Sequence, residues 1–363
     1  MRFIQQTVIV FVMVFFGIAA WVFFRGREPV VPSVAPRPVP VTNAPPARAL
    51  PFAHVVTPTA RERLDPAIPG TFQPTAAGNP ESALFGSVRT VSIGSHLYPS
   101  FHEGIDIAPL QRTARGLPLD EVRAVAAGTV GYINRHPGNS NYGNYVVVVH
   151  DDPIGRVYTL YAHLAAIPAE LHPGQAVEAG SILGIMGNTP VATIPLARAH
   201  VHFEVGVIGN GRFDEWFRAQ HLKPDHGLYN GLNLFGFNPL VFFRVMASGG
   251  DSFQRLIEET PPAFELMIPA GKPLDYFRRY PGLWKGEPYT GAWMVITASE
   301  DGALLAGRAA TPDEVRLAGS RKPVVLKVDA AVLGRNGCRL VVNDGGHWRL
   351  GEKGAHWLEI LEY

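Results

Sequence analysis

The chain is poor in cysteine and in charge. Cys338 is the only cysteine among 363 residues. One thiol cannot close an internal disulfide, and it excludes a cysteine-rich structural zinc site. Charged residues make up 17% of the sequence, and 32 Lys and Arg face 31 Asp and Glu. With no basic excess, the electrostatic footprint of a nucleic-acid-binding protein is missing. There is no solenoid-type repeat. No H-E-x-x-H pattern occurs, so a helix-borne glutamate base beside a metal is not available. What is plentiful is apolar: the hydrophobic content of 47% is ample for a core.

Part of the apolar content lies in Thr7–Phe24, T-V-I-V-F-V-M-V-F-F-G-I-A-A-W-V-F-F. A run of about 18 uncharged residues is just long enough to span a bilayer as a helix. Trp21, Phe23 and Phe24 suit the membrane interface. A cleaved signal peptide is the alternative, with Gly17-Ile18-Ala19 as a poor cleavage site. No cysteine follows the run, which excludes a lipoprotein anchor. The reading adopted is a transmembrane anchor with flanks over 1–27. Residues 28–80 then read as a Pro-rich extended linker, dense in proline from Pro29 to Pro51. Proline at this density disrupts helices and sheet ladders. About 25 such residues reach roughly 75 Å. Residues 53–80 are less regular and read either as more linker or as a strap over the following domain.

From Ser82 to Phe243, short apolar or alternating runs are separated by Gly, Pro, Asn and Asp. Arg123–Ile133, Asn144–His150, Val157–Leu164, Ser181–Met186 and Ala199–Ile208 read as strands. No strong amphipathic helix interrupts them. The expected fold class is mainly β, an antiparallel sheet or sandwich over residues 81–245. Residues 246–363 read as a small strand-rich C-terminal region. Ser252–Thr260 reads there as a short helix. Ala292–Thr297, Pro323–Val328, Cys338–Val342 and Trp357–Leu361 read as strand-like. Four of the six tryptophans lie in this region and are expected to form its core.

The chemistry is concentrated in a few histidines. In Ala199–Val207, A-H-V-H-F-E-V-G-V, strand alternation puts His200, His202 and Glu204 on one face. The two imidazoles then lie about 6.6 Å apart at Cα and can converge on one point. Neutral imidazole is the commonest metal ligand. In His102-Glu103-Gly104-Ile105-Asp106, a straight strand would hold the ends about 13 Å apart, too far to share an ion. The chain must bend, and Gly104 supplies conformational freedom for it. Two histidines and a carboxylate leave a position open for water, the pattern of a catalytic rather than a structural zinc site. His163 closes the run Tyr158–Leu164, where alternation groups it with Tyr161 and Thr159. With no glutamate base, a histidine that is not a ligand must do the acid–base work. His96, His136, His150, His172, His221 and His226 match no ligand position.

Five motifs in order carry a resemblance: H-E-G-I-D-I at 102–107, Y-G-N-Y-V-V at 142–147, L-Y-A-H-L at 160–164, G-Q-A-V-E-A-G at 174–180 and H-V-H-F-E-V at 200–205. Together they closely resemble the lysostaphin-type zinc endopeptidases of peptidoglycan. The resemblance spans roughly Ser82–Leu240 and includes Asn238-Pro239-Leu240. It implies one Zn2+ per chain held by His102, Asp106 and His202. It implies His163 and His200 as the catalytic pair, and it brings Tyr142 and Asn144 close to the substrate. Glu204 is expected to support the ligands. The substrate implied is the peptide portion of bacterial peptidoglycan. The anchor would place the protein at the cytoplasmic membrane, single-pass, with the catalytic domain outside. A silent wall-binding regulator is the alternative, and the intact five-residue set argues against it. A phosphocarrier function, suggested by a similar duplicated β architecture, is disfavoured by Asp106 and the anchor. The segment 210–237 departs from the family pattern. It reads either as a roof over the site or as a surface excursion.

Overall fold

The computed structural model describes residues 50–363 except 94, 95, 224 and 319–321, and only the backbone of 90–99. The expected anchor and the linker up to residue 49 lie outside the described residues. Among the described residues, no helix is long and apolar enough to cross a membrane.

The first strands are β1 (Val88–Ile93), β2 (His96–Phe101), β3 (Ile105–Ile107), β4 (Glu121–Arg123), β5 (Gly128–Asn134) and β6 (Tyr145–Asp152). β7 (Gly155–Ala162), β8 (Leu164–Ala166), β9 (Ala176–Val177), β10 (Ile182–Met186), β11 (Val201–Ile208) and β12 (Leu234–Phe237) follow. The main sheet runs β12-β11-β7-β6-β5-β9, with β3 also paired to β11. Its ladders are antiparallel. β7 pairs along one edge of β11, while β3 and then β12 share the other. A three-stranded sheet, β4-β10-β8, contributes Val122, Leu183 and Met186 to the same core. The domain is mainly β, as its strand-spaced apolar runs imply.

The main sheet is buried on both faces. Val146 and Val148 of β6 enter the large core, while Tyr145 and Val147 enter a smaller cluster behind it. β7 divides the same way, with Tyr161 in the large core and Tyr158, Leu160 and Ala162 in the small one. On β11, Val201, Phe203, Val205 and Val207 fill the large core. Alternation therefore sends His202 and Glu204 to the side of the small cluster.

Residues 50–87 are a packed strap, so of the two readings of 53–80 the structure has the strap. Phe52 is fully buried, with its ring 5.0 Å from His150 and 5.4 Å from Phe242. Val56 N donates to Val125 O, and Arg123 N donates to Pro58 O. Further on, Gln73 N donates to Asp106 O and Ala108 N to Thr71 O. These bonds satisfy backbone groups that the short β3 and β4 leave unpaired.

Helices do occur where none was expected. α1 (Phe213–Ala219) lies in the segment 210–237, and α2 (Pro239–Ala247) starts at Asn238-Pro239. Asn238 caps α2 by accepting from Leu240 N, and proline is tolerated at a helix's first turn. α3 (Phe253–Glu259) is the expected short helix. The C-terminal region continues with β13 (Phe264–Pro269), α4 (Asp275–Arg279), β14 (Trp284–Lys285), β15 (Trp293–Ala298), β16 (Leu304–Ala309) and β17 (Val324–Val328). These five strands form one sheet, ordered β14-β16-β15-β13-β17. β18 (Val341–Asp344) and β19 (His347–Leu350) form a hairpin.

Trp357–Leu361 is a correction: it lies in the helix Glu352–Glu362 rather than in a strand. Gly354, Trp357, Leu358 and Leu361 are buried at helical spacing, a period of 3.6 that a five-residue window reads poorly. Trp357 donates to Gly302 O and is a core residue. That core is continuous with the core of the β1–β12 region.

Candidate metal centre

β3 and β11 pair with Asp106 opposite His202, and β7 places Ala162 opposite His202 on the other side. Alanine there leaves room for an imidazole. Gly104, between β2 and β3, does make the required turn, but for a different reason from the one expected. Its backbone has no positive φ. A Cβ at this position would instead stand 2.4 Å from Phe203 O. Glycine is needed so that the turn can press against β11, which brings His102 to the same point.

The three side chains meet. His202 Nδ1 is 2.9 Å and His102 Nε2 3.0 Å from Asp106 Oδ1. His102 Nε2 and His202 Nδ1 are 3.1 Å apart. All three residues are buried and form a group able to hold a metal ion.

The protons tell which atoms face inward. His102 Nδ1 lies 2.9 Å from Leu84 O, and a carbonyl only accepts, so Nδ1 carries the hydrogen and Nε2 the lone pair. His202 Nε2 lies 2.9 Å from Glu204 Oε1, which leaves Nδ1 toward Asp106. His163 Nδ1 is 2.7 Å from Thr189 O, and His200 Nδ1 is 2.7 Å from Arg198 O. In each of these two rings Nε2 is the remaining acceptor. His200 Nε2 lies 3.5 Å from Asp106 Oδ1. Two imidazole nitrogens and a carboxylate oxygen about 3 Å apart suit one ion with bonds of about 2 Å. The donor set therefore fits a divalent metal.

The electrostatics agree. Burial lowers the pKa of His102 and of His200. Burial, aided by the neighbouring His200 and His202, holds His163 well below its ordinary value. Burial would raise Asp106, but the surrounding imidazoles, His102 first, hold it well below the usual carboxylate range. Burial opposes a charge on His202, yet hydrogen bonds to Asp106 and Glu204 raise it to about 9. In the metal-free protein His202 is thus the protonated member, and an ion on Nδ1 would replace that proton. Burial also works against ionised Glu204, but bonding to His202 outweighs it and keeps the carboxylate charged. Tyr158 Oη donates to Glu204 Oε2 at 3.0 Å. Gly206 permits this, because a Cβ there would stand 2.7 Å from the Tyr158 ring.

His163 departs from the alternation expected of it. β7 ends at Ala162, and His163 has φ 63°, a conformation uncommon outside glycine. Its N–H donates to Tyr142 O. The turn carries its ring out of register with Tyr161 and to 4.8 Å from that of His200. Tyr142 lies with its ring 5.8 Å from His202, and its phenol helps to keep the Glu204 carboxylate charged. Asn144 Nδ2 donates to Leu164 O, and its Oδ1 is buried without a hydrogen-bond partner among the described residues.

Several residues of the site gave no signal in the sequence. Arg89 Nη2 donates to Asp106 Oδ2 at 2.5 Å and lies 3.2 Å from both nitrogens of His102. A single arginine on a short strand has no spacing that would mark it. His226, to which the spacing assigned no role, is buried, with Nδ1 2.9 Å from Tyr145 Oη and Nε2 3.0 Å from Asn139 O. It fastens the segment 210–237 over Tyr132 and Tyr145, beside the metal centre. A histidine with partners on both sides, drawn from distant loops, cannot be read from local pattern.

Residues 100–214 match the model of peptidase family M23. All five of His102, Asp106, His163, His200 and His202 fall within the match. No curated protein matches the chain. Among solved structures it is similar to Csd3 of Helicobacter pylori, at 20% identity and a TM-score of 0.26 over 42% of this chain and 31% of that one. It therefore spans about a third of Csd3's length. It is also similar to the catalytic domain of the antimicrobial peptidase lysostaphin from Staphylococcus simulans, at 22% identity and a TM-score of 0.25, over 34% of this chain and 77% of that one. A zinc-containing peptidase from Vibrio cholerae is similar at 23% identity and a TM-score of 0.22, over 38% of this chain and 36% of that one. Residues 100–214, which hold the whole His/Asp cluster, are thus similar to the peptidases of family M23.

Proposed function

We propose that the protein is a zinc endopeptidase that hydrolyses peptide bonds of bacterial peptidoglycan, with one Zn2+ per chain. One observation carries this reading. His102 Nδ1 and His202 Nε2 are tied to Leu84 O and Glu204, which leaves His102 Nε2 and His202 Nδ1 facing Asp106 Oδ1 as the atoms an ion would take. His102, Asp106 and His202 would hold the ion. Zinc bound there supplies Lewis acidity, polarising a carbonyl and lowering the pKa of water towards about 7.

The remaining work falls to His163 and His200. Burial keeps both neutral near pH 7, and each has Nε2 as its acceptor atom. One accepts a proton at Nε2 from the attacking water and, so charged, passes that proton to the leaving amine; the other would donate to the oxyanion once protonated at Nε2. Glu204, fixed by Tyr158 and Tyr142, keeps the His202 ring in place. Tyr142 and Asn144 are proposed to stand at the substrate's edge. We place the catalytic half outside the cytoplasmic membrane, anchored by Thr7–Phe24 and spaced from it by the proline-rich segment.

The test uses purified full chain and peptidoglycan from several wall types. Stoichiometric zinc and new amino termini are expected, both lost in His202→Ala. A zinc-loaded protein inert on every wall type would falsify the enzymatic reading and favour the silent regulator. A mature N-terminus near Ala20 would replace the anchor with a cleaved signal peptide.

A further inference from the structure

The two oxygens of Asp106 are treated differently. Oδ1 faces His102 Nε2 and His202 Nδ1, at 3.0 and 2.9 Å. Oδ2 instead accepts from Arg89 Nη2 at 2.5 Å. The guanidinium is itself fixed, because Nε and Nη2 both donate to Ser82 O, at 2.9 and 2.6 Å. Arginine stays charged at any physiological pH and presents its donors in a rigid fork. A charge-assisted bond of this kind is stronger than a neutral one.

We propose that Arg89 is a positioning residue that makes Asp106 a one-oxygen ligand. By holding Oδ2 it prevents the carboxylate from closing on the ion with both oxygens. A coordination position then stays open for water and the scissile carbonyl. Arg89 lies outside the segment matched to the family, and the strap carbonyl of Ser82 sets its aim. The inference rests on the zinc-peptidase reading of the same site.

The test compares wild type, Arg89→Met and Arg89→Lys as full chains. Zinc affinity is measured by chelator competition, the number of oxygens bound to zinc by X-ray absorption at the zinc edge, and kcat and KM on peptidoglycan fragments. Methionine keeps roughly the aliphatic stem of arginine without its donors. In Arg89→Met we expect one zinc per chain, bound no more weakly, with one more oxygen at the metal. Loss of a partner behind a ligand typically costs about 10–100-fold, here expected in kcat with little change in KM. Arg89→Lys should keep the wild-type oxygen count and recover part of kcat, since an ammonium can still reach Oδ2. Weaker zinc with an unchanged oxygen count would mean that Arg89 only braces the hairpin, and the proposal would fall. If Arg89→Met does not fold, Arg89→Gln, too short to reach Oδ2, replaces it, and an unchanged oxygen count there overturns the proposal equally. The oxygen count decides the matter even for a protein that cleaves no wall. In that case the peptidase reading fails alone.

Discussion

Strand β11 and the strap 50–87 meet at His102 and Asp106, and they contribute different things. β11 provides side chains, His202 and Glu204, with His200 just before its start. The strap provides main-chain carbonyls: Leu84 O orients His102, and Ser82 O aims Arg89. Its amides also reach the ligand segment, with Gln73 N bonded to Asp106 O. The proposed metal-holding and catalytic side chains therefore lie inside residues 100–214, while part of their orientation comes from outside them. A minimal domain cut at the matched boundary would retain every ligand and lose the partner that sets one ligand's tautomer.

The sharpest test of the division within β11 concerns the two histidines of H-V-H. His202→Ala should release zinc and abolish hydrolysis. His200→Ala should retain one zinc per chain while kcat falls about 10²–10⁴-fold, the range for a lost acid–base group. Metal analysis of the two purified variants separates them. Zinc loss in His200→Ala would show that both histidines bind and that acid–base work rests on His163 alone.

The strap is tested next, through Phe52. Truncating a fully buried phenylalanine costs about 3–5 kcal/mol. Phe52→Ala should lower the melting temperature accordingly, while the folded fraction still takes up zinc. A shift too small to measure would mean that the strap rides on the domain without stabilising it.

Much of this site was legible in the sequence because side-chain ligands recur at strand spacing. His200, His202 and Glu204 on one face follow from alternation alone. The bend at Gly104 was legible too, though its cause is the approach to Phe203 O rather than backbone freedom. His163 was misplaced by the same rule that placed His202, since alternation assumes that the strand continues and the backbone turns left-handed there. Leu84 and Ser82 act through carbonyls, which every residue possesses, so no residue type could have marked them. Arg89 depends on a contact between β1 and β3 that no local pattern contains. Trp357–Leu361 is too short a window for the helical period to stand out, and the buried face shows only when the whole of Glu352–Glu362 is taken together.

The strap's packing also predicts an acid response that does not involve the metal. His150 is buried against Phe52, bonded to Ala127 O and Thr159 Oγ1. Burial lowers its pKa from 6.5 to about 4. The folded state thus holds it neutral while the unfolded chain takes up a proton below about 6.5. Its contribution is present above that pH and is lost as pH falls through about 4. At about 1.4 kcal/mol per pH unit, the loss approaches roughly 3 kcal/mol. Denaturant titrations of the metal-free protein between pH 7 and 4 would measure it. His150→Gln should flatten that slope, and an unchanged slope would assign acid sensitivity to other groups.

The smallest effect should come from the C-terminal side of the same core. Tyr280 Oη donates to Arg156 O and accepts from Ile208 N, joining the end of β11 to the start of β7. Tyr280→Phe keeps the ring and leaves a buried amide and carbonyl short of a partner. An unsatisfied buried group costs about 1–3 kcal/mol, and removing only the hydroxyl should fall toward the lower end. Zinc affinity and kcat should not change, because the bond lies at the far end of β11 from His202. A drop in zinc affinity in this variant would instead show that the C-terminal region helps set the ligand strand. The contrast between a strap that orients ligands and a C-terminal half that only buttresses the sheet would then fail.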